Sequence, residues 1–89
     1  MRCSIRVRGA VQGVGFRPFV FRLASELGLA GWVLNDAQGV QIEAQGESTA
    51  LHTFSRRLLS DAPPLARVEQ VLETAQPLTQ GAAGFVILH

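Results

Sequence analysis

The chain is 89 residues long, 47% hydrophobic and 17% charged, with a formal net charge of +1 and one cysteine. That length holds a single domain, and the apolar fraction is far above that of disordered chains, so a fold without metal or disulfide is expected. Cys3 alone excludes an internal disulfide and, with two scattered histidines, a structural zinc site. No apolar run is long enough to span a membrane, and Met1-Arg2-Cys3 opens no signal-peptide pattern, so a cytoplasmic protein is expected.

Cys3, Ile5 and Val7 alternate with Arg2, Ser4, Arg6 and Arg8, the period of two that marks a half-buried strand over residues 2–8. Cys3 therefore reads as a small buried hydrophobe, and the arginines as an exposed face. Gly9, Gly13 and Gly15 punctuate a loop, after which Pro18 falls in the first turn of a helix, where proline is tolerated. Val20, Leu23, Ala24 and Leu27 give that helix one apolar face, and Gly28 ends it.

A second strand covers residues 30–35, and Val40, Ile42 and Ala44 alternate with polar partners in a third over residues 40–45. Asn35 to Gly39 between them reads as a hairpin turn. Ser48 is placed to cap a second helix with Leu51, Phe54 and Leu58 as its stripe, ending before Pro63 and Pro64. Val68 to Glu73 forms a fourth strand, Thr74 to Gly84 a surface loop, and Phe85 to Leu88 a short last strand. His52 lies beside the helical stripe with no cysteine or carboxylate partner near it in sequence, and so reads as a surface residue.

The order β-α-β-β-α-β predicts a ferredoxin-like α+β sandwich. Two helices, each with a single apolar stripe, cover one face of an antiparallel sheet, with a short extra C-terminal strand. This architecture serves many unrelated functions, so the function has to be sought in a site.

Every basic residue is an arginine, and residues 1–34 hold five of them against Glu26 alone, whereas residues 35–89 hold three against six carboxylates. The positive end is therefore the N-terminal third. Within it, Ala10 to Arg17 joins the first strand to the first helix. Glycines at 13 and 15 allow successive N–H groups to point into one concavity, and the start of the following helix adds its own free N–H groups. Arg17 stands at this junction, where a planar guanidinium can clamp two oxygens of a phosphate.

The run VQGVGFRPFV at residues 11–20 resembles the signature of the acylphosphatase family. Its Gly-Phe-Arg-Pro-Phe form is similar to the N-terminal acylphosphatase-like domain of the HypF family, the hydrogenase-maturation carbamoyltransferases. GWVLND (31–36), GVQIEAQG (39–46), PPLARV (63–68) and the terminal FVI (85–87) support the resemblance in family order, over nearly all of the chain. In stand-alone acylphosphatases an aromatic residue often stands where this chain has Gly15, and proline does not directly follow the arginine as Pro18 does here. Both departures agree with the HypF form.

What the resemblance implies is hydrolysis of an acyl phosphate by direct attack of water at phosphorus, without metal, cofactor or covalent intermediate. Arg17 matches the phosphate-binding arginine. Val11, Gln12, Gly13, Val14, Gly15 and Phe16 match the loop whose amides cradle the phosphate, and Asn35 matches the asparagine that holds the attacking water. The HypF form implies carbamoyl phosphate as substrate and an N-terminal domain of a larger protein that transfers its product to HypE; for such a domain alone, weak or absent turnover is also compatible.

Without the resemblance, Asn35 is an ordinary turn residue and the glycine loop an ordinary tight turn, which leaves a non-catalytic phosphate-binding or docking module as the alternative. A nucleic-acid reader of the same fold needs exposed aromatics on its central strands, and VQIEAQ at residues 40–45 has none. No nucleic acid and no membrane are expected as partners, only a small acyl phosphate or inorganic phosphate.

Overall fold

The computed structural model describes residues 1–89. It contains β1 (Arg2–Ala10), α1 (Phe16–Glu26), β2 (Ala30–Asp36), β3 (Gly39–Gln45), α2 (Ser48–Ser60), β4 (Arg67–Gln76) and β5 (Phe85–Ile87). The five strands form one sheet in the order β4-β1-β3-β2-β5. β1, β2, β3 and β4 pair antiparallel, as expected for this ferredoxin-like α+β sandwich, and the short extra strand β5 runs parallel to β2, which makes the five-stranded sheet mixed.

The core follows from alternation. Val7 pairs with Val40, Ile5 with Ile42 and Cys3 with Ala44 across β1 and β3, and all six side chains are buried on one face. Both helices lie on that face. α1 contributes Phe16, Phe19, Val20, Leu23 and Ala24, and α2 contributes Leu51, Phe54 and Leu58. Phe54 is fully buried, and its truncation to alanine is worth about 3–5 kcal/mol in a site of this kind. No helix is long and apolar enough to cross a membrane.

Three local expectations change. β2 keeps Asn35 and adds Asp36, opposite Val40 and Gly39, so the hairpin turn is not Asn35–Gly39 but only Ala37–Gln38. Asp36 Oδ1 accepts the Gln38 N–H at 2.8 Å, a side chain capping its own turn. Glu47, not Ser48, is the N-cap of α2, and no side chain completes that cap. β4 is longer at both ends than its apolar core predicts, because its ladder with β1 runs from Arg67 to Gln76, with an irregularity at Arg8/Gly9.

The arginines of β1 are not uniformly solvated either. Arg2 is buried; its Nε donates to Glu43 at 2.8 Å and its Nη1 to Gln45 at 3.4 Å. Arg6 is half-buried and pairs with Asp36 at 2.5 Å, and Arg8 alone is exposed as expected. The segment 77–84 has to cross from one sheet edge to the other, a distance of roughly 19 Å over four strand spacings. It is fastened midway: the Gln45 carboxamide donates to the Thr79 carbonyl at 3.1 Å and accepts the Thr79 N–H at 2.8 Å.

Candidate functional site

The loop between β1 and α1 is pinned at both ends by hydrophobic burial. Val11 and Phe16 are each 1% exposed, and Phe16 meets Phe19 edge to face at 5.5 Å. Between these anchors, Gln12, Gly13 and Gly15 are exposed and Val14 half-buried. Gly13 and Gly15 have φ of +74° and +79°, the left-handed region that side chains with a Cβ resist. A Cβ at either would touch nothing, so it is the backbone path that demands glycine there.

That path leaves donors free. None of the N–H groups of Val11 to Gly15 donates to an acceptor within the chain. Gly15 is the N-cap of α1, with no capping side chain and no acidic residue in the first turn. A run of free amides at an uncapped helix start is a concentration of positive potential suited to an oxyanion.

Arg17, the second residue of α1, is half-buried and has no carboxylate partner; the ion pairs of the chain engage Arg2, Arg6 and Arg57. Its Nη1 donates to the Leu88 carbonyl at 3.5 Å. The Leu88 N–H in turn donates to Val33 on β2 at 2.8 Å, two residues before Asn35. The loop reaches the same strand from the other side. Gln12 Nε2 donates to the carbonyls of Asp36 at 2.5 Å and Gly39 at 3.1 Å.

Asn35 sits between these two ties. Its register partner Val40 faces the helices, so the Asn35 side chain lies on that face too, and its Oδ1 is buried without a hydrogen-bond partner. A buried, unpaired carboxamide oxygen costs about 1–3 kcal/mol and is an acceptor ready for a polar ligand or a water. The fold thus brings the glycine loop, Arg17 and Asn35 to one end of β2. The sequence offered no sign of the Gln12 side-chain bonds or of the Leu88 carbonyl, since both depend on partners far along the chain.

Asp36, next to Asn35, is held ionised: the hydrogen bond from Arg6, then the Gln38 N–H, keep its carboxyl below the usual range. At the opposite end of β1, Cys3, His52 and Glu73 line a common cavity, so His52 does have a thiol and a carboxylate in its neighbourhood, which its sequence surroundings did not reveal. These three do not approach closely enough to form a metal-binding group. Burial, and then the charge of Glu73, push the Cys3 thiol up.

The molecule is thus an α+β sandwich of ferredoxin-like type, with free amides and an arginine that has no carboxylate partner on its first crossover. The chain belongs to the acylphosphatase family, whose model, described as Acylphosphatase, matches residues 3–87. This is a family of hydrolases that act on acyl phosphates. All 89 residues are 61% identical to a segment of Carbamoyltransferase HypF2 of Cupriavidus necator, and they span only 11% of that protein. The fold matches the crystal structure of acylphosphatase from Bacillus subtilis with a TM-score of 0.92 at 37% identity, covering 99% of this chain and 98% of that one. It matches full-length HypF, solved in a phosphate- and nucleotide-bound form, with the same TM-score at 33% identity, covering 99% of this chain and 12% of that one.

Proposed function

We propose that this chain hydrolyses a small acyl phosphate by direct attack of water on phosphorus, with carbamoyl phosphate as its substrate. The observation that carries the reading is the run of free amides at residues 11–15 beside the carboxylate-free Arg17. Amides of residues 11–16 take the non-bridging oxygens, and the Arg17 guanidinium clamps two of them. Asn35 holds the water in line with the bond to be broken. A new P–O bond forms to water, the P–O bond to the acyl oxygen breaks, and the water's proton passes to a phosphate oxygen. Carbamate leaves as a carboxylate, so no general acid is needed, and charge stabilisation with positioning is sufficient.

The 61% identity to a carbamoyltransferase favours carbamoyl phosphate over other acyl phosphates. In the same reading these 89 residues are the N-terminal domain of a HypF-type cytoplasmic protein, and the carbamate goes on to HypE through the remainder of that protein.

The test is phosphate release from carbamoyl phosphate and from an aryl acyl phosphate, with the parent chain, Arg17→Ala and Arg17→Lys compared. Both variants are expected to lose phosphate affinity and turnover, the lysine because a point charge does not reproduce a two-pronged contact. A parent that binds phosphate but releases none from either substrate would assign the loop to a non-catalytic anion-binding module.

A further inference from the structure

The geometry points to Gln12 as a positioning residue, whose side chain fixes the anion loop against the strand end that carries Asn35. The inference rests on the hydrolytic reading above and adds a role to a residue that entered it only through its backbone amide.

Gln12 lies in the exposed middle of the loop, where a long polar side chain ordinarily has no reason to be fixed. Its Nε2 nevertheless donates to two carbonyls at once, Asp36 at 2.5 Å and Gly39 at 3.1 Å. These two residues face each other across the two-residue turn Ala37–Gln38. One carboxamide therefore supplies a donor to each side of the β2–β3 hairpin end. No other side-chain hydrogen bond links residues 11–15 to that hairpin. Asp36 is itself anchored, its Oδ1 accepting from Arg6 and from the Gln38 N–H.

The consequence is a matter of relative position. In-line attack requires the phosphate, held by loop amides, and the water, held by Asn35, to keep a fixed spacing, and a displacement of about 1 Å is enough to cost on the order of 10²-fold in rate. Gly13 and Gly15 carry no side chain that could hold the loop in place. The Gln12 bonds tie the loop to the Asp36 carbonyl, one residue from Asn35, and to the carbonyl of Gly39, which stands opposite Asp36. Phosphate affinity depends on the loop and Arg17 alone, so loss of the tie should lower kcat and spare binding.

The experiment compares the parent with Gln12→Met, which keeps the length and lacks the donor, and Gln12→Lys, which restores donors on a stem one atom longer. Expected for Gln12→Met is a fall in kcat of roughly 10-fold or more, with KM and inorganic phosphate affinity within about threefold of the parent. Gln12→Lys should recover part of kcat, its added charge acting on KM. In parallel, inorganic phosphate is titrated into isotopically labelled parent and Gln12→Met and followed by amide NMR. Shifts should spread from residues 12–17 to 36–39 in the parent and stay within the loop in the variant.

Parent kcat in Gln12→Met, equal losses of kcat and phosphate affinity, or phosphate shifts reaching the hairpin undiminished, would each overturn the role while leaving the hydrolytic reading intact. A parent with no acyl phosphate hydrolysis fails the hydrolytic reading instead, and with it any part in catalysis. The NMR comparison then decides whether Gln12 still couples an anion loop to the hairpin.

Discussion

Asn35 stands directly opposite Val40 in the β2–β3 ladder, and this pairing turns its carboxamide onto the helix-covered face, where Oδ1 has no partner. A polar atom in that position opposes stability, so it is informative to ask what its removal does. Asn35→Ala is expected to melt at or above the parent temperature, because an unsatisfied acceptor disappears. If Asn35 holds the attacking water, hydrolysis should fall on the order of 10²-fold with phosphate affinity nearly unchanged. Kinetics and melting of the same variant check both halves. A variant that hydrolyses at the parent rate removes Asn35 from the mechanism.

Gly15 has φ of +79° with open space where a Cβ would go, so the strain of a substitution comes only from the backbone. Gly15→Ala should cost about 1–2 kcal/mol. At this chain length each kcal/mol lowers the melting temperature by roughly 4–8 °C. Gly15→Asn should recover part of that loss, since asparagine tolerates the left-handed region. Phosphate titration of the alanine variant is expected to show weakened binding as the amides re-aim. An alanine variant with parent melting and parent affinity would mean that the loop relaxes freely.

The buried Cys3 thiol ionises above its usual range because burial, and secondarily Glu73, disfavour the thiolate. A group whose pKa is raised on folding contributes its stability fully below the unfolded value and loses it as pH rises toward the folded one. Parent stability is therefore expected to decline above about pH 8.5, the ordinary thiol value, and Cys3→Ala should flatten that limb. At neutral pH the native thiol should resist alkylation and react only once unfolded. Rapid modification of the folded protein would contradict both the burial and the direction of the shift.

Asp36 gives the opposite sign. Its carboxyl is held low by Arg6 and by the Gln38 N–H, so its contribution is present above the usual carboxylate range, near pH 4, and is lost as pH falls through the depressed folded value. Asp36→Asn should narrow the stability difference between pH 5 and strong acid, as measured by denaturant titration across that window. Salt should weaken the Arg6–Asp36 contribution, since the pair is partly exposed. An acid limb identical in parent and variant would show that the pair does not persist in solution.

What local sequence pattern determined is what local forces determine. Period-two alternation marked the inward face of β1 and β3, the 3.6-residue stripes marked both helices, and the paired glycines of 13 and 15 marked a loop whose backbone has to turn left-handed. The family resemblance named Arg17 and Asn35, and local pattern put Asn35 where the strand over 30–35 meets the turn over 35–39. That its side chain is turned onto the helix-covered face was decided by the cross-strand ladder, because a residue's burial depends on which neighbour lies opposite. Arg2 is buried, against its polarity, with its guanidinium bonded to Glu43 and Gln45, and Gln45 is bonded in turn to the segment that crosses from β4 to β5. The bonds that assemble the site join residues 24, 27 and 71 positions apart, Gln12 to Asp36 and Gly39, and Arg17 to Leu88. A hydrogen bond of that kind leaves no mark on either local pattern, since each partner's own neighbours are indifferent to it, and only the closing of the sheet brings donor and acceptor within reach.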